Sequence, residues 1–152
     1  MEDARAPVLR ARLLSKPAII LDNVNMSKER PRILLVDDNV PIHTLLSDIF
    51  RKEGYDLFSA RDAMQGIMEL KRVKPDLLLL DMNMPAGGGR SVYERARMTT
   101  EFMSLPILIY STTPREELVR KFQTGPVLEI VDKNAPLDKL LETIRMMLQE
   151  AR

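Results

Sequence analysis

The amino-acid sequence predicts an α/β fold, a doubly wound five-stranded parallel sheet with helices on both faces. Three observations carry that prediction. The apolar runs Ile33-Leu34-Leu35-Val36, Leu77-Leu78-Leu79-Leu80 and Ile107-Leu108-Ile109-Tyr110 are short and unbroken, the signature of strands covered on both faces. Segments with helical apolar spacing lie between these runs. Strand and helix alternate five times, and right-handed crossovers fold such a series into one open parallel sheet.

The first strand, 33–36, ends at Asp37 and Asp38. In the helix after it, Ile42, Leu45, Leu46, Ile49 and Phe50 share one face, with Asn39 as cap and Gly54 as stop. Residues 55–60 form a shorter, more peripheral strand. Asp62 and Gln65 make a capping box before a helix with Met64, Ile67, Met68 and Leu70 on its apolar face. The run 77–80 is the third and central strand and ends at Asp81. Residues 90–102 form a weaker helix, with Val92, Tyr93, Ala96 and Phe102 facing inward. The run 107–110 ends at Ser111 and Thr112. Thr113-Pro114-Arg115-Glu116 is a second capping box, with Pro at the first helical position. The weaker strand 127–131 ends at Asp132 and Lys133. Asn134 then caps a last helix with Leu137, Leu140, Leu141, Ile144, Met147 and Leu148 on its buried face. Most of the ten methionines sit on helix faces, where core filling is the simplest use for them.

Composition narrows the chemistry. With no Cys and one His in 152 residues, thiolate metal sites, disulfides, Cys nucleophiles and paired-imidazole metal sites are all excluded. A net charge of +1 gives no bulk attraction to nucleic acid or anionic membranes. No stretch has the apolar length of a membrane span. Arg10, Arg12, Lys16 and Pro17 break up the N-terminal apolar pieces, so no secretory signal is read and a cytoplasmic location is expected. Residues 1–30 read as a poorly ordered N-terminal extension, with Met26 a second candidate start, and residues 31–150 as the folded domain.

In a parallel sheet the C-terminal ends of all strands point to one edge, where ligands bind. Here that edge collects Asp37, Asp38, Asp81, Ser111, Thr112 and Lys133. Crowded carboxylates raise one another's pKa values, and a hard divalent cation such as Mg²⁺ relieves the repulsion. A nearby ammonium adds a second positive point, giving a pocket suited to a phosphoryl group. A carboxylate can itself be the nucleophile and become an acyl phosphate. Asp81, alone at the end of the central strand, is the best placed for that role.

These residues resemble the receiver domain of two-component response regulators, in the stand-alone, single-domain form. The matching pieces are Ile33-Leu34-Leu35-Val36-Asp37-Asp38, Asp81-Met82-Asn83-Met84-Pro85 with Gly89, Pro106-Ile107-Leu108-Ile109-Tyr110-Ser111-Thr112, and Lys133. The resemblance covers residues 31–150 and implies a flavodoxin-like (βα)5 fold. It implies that Asp81 accepts a phosphoryl group from the phosphohistidine of a histidine kinase or phosphotransfer protein. It places Mg²⁺ on Asp37, Asp38, Asp81 and the backbone carbonyl of Asn83. Ser111 and Thr112 are the switch hydroxyls and Lys133 pairs with the phosphoryl group. Asn83 and Thr113 hold the positions that tune hydrolysis, and a moderately long-lived phosphoryl state is expected. The chain is then no enzyme beyond its own phosphorylation and slow dephosphorylation. Since only Ala151 and Arg152 follow the last helix, output is expected through a downstream protein target. The face formed by helix 4, strand 5 and helix 5 is the candidate surface, also for a homodimer.

Three departures from the family pattern stand out. Ile130 replaces the usual aromatic three residues before the Lys and reads as a buried strand residue. Asn134, not Pro, follows Lys133, so that loop is expected to be rebuilt. Gly87-Gly88-Gly89 reads as a loosened loop, with no GK[ST] after it and hence no P-loop. His43 reads as a partly exposed helix residue without a partner. The runner-up function is a phosphorylation-independent interaction module. An Asp-dependent phosphatase is disfavoured because Asn83 stands where a second carboxylate would act, and no loop suits a flavin.

Overall fold

A computed structural model describes residues 29–151. The expected extension lies outside the described residues except for its last two positions, and so does Met26. From Pro31 onward the chain is one compact unit.

Five strands and five helices alternate among the described residues. They are β1 (Arg32–Val36), α1 (Val40–Glu53), β2 (Asp56–Ala60), α2 (Ala63–Val73), β3 (Leu77–Leu80), α3 (Gly88–Met98), β4 (Ile107–Ser111), α4 (Arg115–Val119), β5 (Leu128–Asp132) and α5 (Leu137–Glu150). The strands are parallel in the order β2-β1-β3-β4-β5, a doubly wound, flavodoxin-like sheet with β3 at its centre and β2 at one edge.

Because successive strand residues face opposite sides, each apolar run feeds two cores. Leu34, Val36, Leu78, Leu80, Ile107, Ile109 and Ile130 pack with residues of α2, α3 and α4. Ile33, Leu35, Leu77, Leu79, Leu108, Tyr110 and Val131 pack with α1 and α5. All four residues of β3 are fully buried, at roughly 1.5–3 kcal/mol for each large apolar side chain. That anchoring fixes where the residue after β3 emerges.

Several helix details differ from the sequence reading. Leu45 is exposed, and the buried face of α1 is Leu46 and Phe50 flanked by Ile42 and Ile49. One residue turns a helix by about 100°, which carries Leu45 out of the stripe that meets the sheet. On α2 the buried residues are Gly66, Leu70 and Val73, and Met64 and Met68 lie on the solvent side. Gly66 gives no apolar signal, yet it seats α2 against Val36 and Val92. Core filling by methionine fails as a general reading: Met84 and Met147 are buried, but Met64, Met68, Met98, Met103 and Met146 are exposed.

The capping assignments divide. Asp62 caps α2 by accepting from Gln65 N at 2.8 Å, while Gln65 Oε1 accepts from Arg61 N. Gly54 ends α1 in the left-handed region, at φ 91°. Asn39 stands at the start of α1, but its side chain makes no cap bond. Pro114 and Pro136 occupy the cap positions just before α4 and α5, so Pro114 stands one residue ahead of the first helical position expected of it, and Thr113 and Asn134 do not cap. The third helix runs over Gly88–Met98 and gives way to a 3-10 turn at Thr100–Phe102, instead of spanning 90–102.

Candidate functional site

The β1–β3 register pairs Val36 with Leu80, so the next residues, Asp37 and Asp81, leave the sheet side by side. The β4–β5 register pairs Ser111 with Asp132, and Lys133 N donates to Ser111 O at 2.9 Å. The β3–β4 pairing joins these two halves, so three strand pairings bring Asp37, Asp81, Ser111 and Lys133 together at the C-terminal edge of the sheet, as the sequence predicts.

Asp37 is fully buried and Asp81 is 3% exposed, while Asp38 is open to solvent. One carboxylate oxygen from each of the three lies within 4.8 Å of the others. Such a set of hard oxygen donors fits an ion like Mg²⁺, which takes one or two carboxylates and keeps several waters. Lys133 Nζ donates to Asp37 Oδ2 at 2.6 Å and stands 3.7 Å from Asp81 Oδ2. With Asn134 in place of Pro after it, Lys133 still stands in the site.

Backbone amides complete the hold on the two buried acids. Asn39 N donates to Asp37 Oδ1 at 2.8 Å, and Asn83 N donates to Asp81 Oδ1 at 3.0 Å. The Asp81 carboxyl nevertheless titrates above the usual carboxylate range. Burial is the main cause; repulsion from Asp37 and Asp38 adds to it, and the Asn83 amide and Lys133 offset it in part. A buried carboxylate among like charges is short of cationic partners, which is the condition that favours taking up a cation.

The hydroxyls form a network around one amide. Asn83 Nδ2 donates to Ser111 Oγ at 3.0 Å and to Thr112 Oγ1 at 3.1 Å. Thr113 Oγ1 donates back to Asn83 Oδ1 at 2.9 Å. This use of Thr113 explains why it does not cap α4. A cleft of about 280 Å³ opens beside Asn83 and Thr113, with Arg90, Lys121 and Phe122 on its walls.

The three-glycine run is closely fitted at its far end. Gly88 and Gly89 are buried in the first turn of α3. A Cβ on Gly89 would lie 2.2 Å from the Asp81 carbonyl oxygen and 2.8 Å from Met82 Cα. Backbone meets backbone there, directly behind Asp81, and only glycine leaves the room.

Ile130 is 3% exposed within the core on the α2–α3 side, as its strand position implies. His43 departs from expectation, because it has two partners. Its Nε2 lies 2.7 Å from the Asp37 carbonyl oxygen and its Nδ1 lies 2.8 Å from Ser59 Oγ. The alternation of apolar residues that locates α1 carries no information about a bond to a loop carbonyl. Sequence reasoning also passed over Arg97, which donates to the carbonyls of Phe102, Met103, Leu105 and Val127 far from the acidic cluster.

An open parallel sheet with acids, a hydroxyl and a lysine at its strand ends defines the class of two-component receiver domains. The family model for the response regulator receiver domain matches residues 33–145, and the chain belongs to that family. It is 27% identical over 117 residues to sporulation initiation phosphotransferase F of Bacillus subtilis, covering 77% of this chain and 93% of that protein. It is 28% identical to the DNA-binding dual master transcriptional regulator RpaA of Synechocystis, covering 78% of this chain and 49% of RpaA. Among solved structures, a sensor protein from a Polaromonas species superposes with a TM-score of 0.72 at 23% identity, covering 81% of this chain and 99% of that one. A chemotaxis protein of Vibrio cholerae superposes with a TM-score of 0.68 at 21% identity, covering 78% and 98%. No helix among the described residues is long and apolar enough to cross a membrane.

Proposed function

We propose that this receiver is a phosphorylation switch in which Asp81 accepts a phosphoryl group from the phosphohistidine of a sensor histidine kinase or phosphotransfer protein. The observation that carries the reading is the placement of Asp81. It is a nearly buried carboxylate at the end of the central strand, flanked by Asp37, Asp38 and Lys133. An Asp81 carboxylate oxygen attacks phosphorus, the P–N bond to imidazole breaks, and the imidazole leaves with its electron pair and takes up a proton. The product is an acyl phosphate.

Asp37, Asp38, Asp81 and the Asn83 carbonyl are the residues that would hold Mg²⁺. Bound there, Mg²⁺ supplies charge neutralisation for the crowded carboxylates and the incoming phosphoryl oxygens. Lys133 already stands between Asp37 and Asp81 and pairs with the phosphoryl group once it is on Asp81. The Ser111 hydroxyl turns from Asn83 toward a phosphoryl oxygen, and Thr112, bonded to the same amide, moves with it. Asn83 and Thr113 are neutral and bonded to each other, so neither holds a general base against attacking water, and the phosphoryl state is moderately long-lived.

Output passes through the face made by α4, β5 and α5 to a protein target, and a second copy of the chain is a candidate for the same face. Arg115 on α4 pairs with Glu129 on β5 at 3.5 Å, and Val119 on α4 and Val127, just before β5, are exposed. A move of Ser111 at the end of β4 acts directly on its β5 neighbour. The chain acts in the cytoplasm, does not bind nucleic acid and turns over no substrate beyond its own phosphoryl group.

Incubation with Mg²⁺ and acetyl phosphate, followed by intact-mass measurement, tests this reading. One phosphoryl increment is expected, absent without Mg²⁺ and absent in Asp81→Asn. No increment in the wild type would instead support the phosphorylation-independent interaction module.

A further inference from the structure

Asp37 is held on three of its polar atoms by strand and loop neighbours. Its N–H donates to Ala60 O at 3.1 Å, its Oδ1 accepts from Asn39 N, and its Oδ2 accepts from Lys133 Nζ. The remaining atom is the carbonyl oxygen of the peptide that joins Asp37 to Asp38. That peptide's orientation decides where the exposed Asp38 carboxylate points, because Asp38 follows it with no strand of its own to hold it. His43, one turn into α1, meets this carbonyl with Nε2 at 2.7 Å. A carbonyl can only accept, so Nε2 donates to it, and Nδ1 is bonded to the Ser59 hydroxyl on β2. Helix α1, edge strand β2 and the acidic peptide are tied together by one imidazole.

We propose that His43 is a positioning residue for cation capture, fixing the Asp37–Asp38 peptide so that both carboxylates present their oxygens to one ion together with Asp81. The proposal rests on the cation-site reading above and deepens it. Residues that orient metal-binding groups from behind shift metal affinity by factors of about 10–100 when removed. A shared carbonyl, with Asp38 free in solvent, places His43 at the lower end of that range.

The experiment is Mn²⁺ titration of the full chain, with free Mn²⁺ read by electron paramagnetic resonance and no phosphodonor present. His43→Phe keeps an aromatic ring but loses the donor. His43→Gln keeps an amide donor at the reach of Nε2. Thermal melts of each protein without metal accompany the titrations. Binding by His43→Phe is expected to weaken about tenfold, with His43→Gln recovering most of the loss. The recovery should not follow the order of the melting temperatures. Equal Mn²⁺ affinity in wild type and His43→Phe would overturn the proposal and leave the cation site standing. Equal weakening in both variants, in step with their melting temperatures, would reduce His43 to a structural contact and also overturn it. A wild-type chain that fails to bind Mn²⁺ would remove the cation site and the positioning role together.

Discussion

Replacing Gly89 with alanine tests the fit of the backbone behind Asp81. The added Cβ would lie 2.2 Å from Asp81 O, 2.8 Å from Met82 Cα and 3.1 Å from the Asp81 carbonyl carbon. All three neighbours are backbone, so no side-chain rotation relieves the clash. Ordinary contact requires a separation of about 1 Å more between the start of α3 and the Asp81–Met82 peptide. Overpacking on this scale costs about 1–3 kcal/mol. For a folded body of this size that corresponds to a fall in melting temperature of roughly 4–12 °C.

Gly88→Ala is the control, one residue away. Gly88 has helical φ and ψ of −60° and −40°, and its nearest foreign atom is the movable Met84 Cε at 3.3 Å. Alanine there gains helix propensity of up to about 1 kcal/mol, so its melt should fall within about 2 °C of the wild type or above it. Circular dichroism melts of the three proteins are the assay. Gly89→Ala should also phosphorylate poorly with acetyl phosphate, since the displaced peptide carries Asp81. Melting temperatures equal in the two variants, or Gly88→Ala lower, would refute the close-approach reasoning.

Three further outcomes are expected. In the absence of metal, Asp81→Asn should be more stable than wild type at neutral pH. The Asp81 pKa is raised in the fold by burial and by Asp37 and Asp38, so its contribution to stability is greatest below the unfolded value of 3.8 and is lost as pH rises through the folded value. Urea melts across pH 3.5–8 check this, and a stabilisation by Asp81→Asn that grows on acidification would contradict it. Mg²⁺ at ten times its Kd should stabilise the wild type by about 1.4 kcal/mol and Asp38→Asn by less at the same concentration; equal shifts in a thermal melt would take Asp38 out of the ligand set. Arg97→Lys should destabilise by about 2 kcal/mol in urea, since a point ammonium cannot serve four carbonyls, yet leave phosphorylation stoichiometry unchanged.

The layout of the sheet was legible in the sequence because its strands are continuous apolar runs and their ends carry the polar residues. Asp37, Asp81, Ser111 and Lys133 could be brought to one edge from that pattern alone, and the structure places them there. Details that depend on three-dimensional neighbours were not legible. Met64 and Met68 look like a buried stripe until Gly66, silent in any hydropathy count, turns out to mark the packed side of α2. Thr113 and Asn134 have capping chemistry, but prolines hold the cap positions of both helices and Thr113 is taken up by Asn83. His43 gave no signal because its partners are a loop carbonyl and an edge-strand hydroxyl, neither of which hydropathy spacing can register.

The central claim is that Asp81 becomes an acyl phosphate. Borohydride reduces an acyl phosphate to an alcohol, converting an aspartyl phosphate to homoserine and leaving free carboxylates untouched. The wild-type chain, treated with Mg²⁺ and acetyl phosphate, reduced and mapped by peptide mass spectrometry, should carry homoserine at position 81 and aspartate at 37 and 38. Homoserine at 37 or 38, or a full phosphoryl mass gain with aspartate intact at 81, would contradict the account.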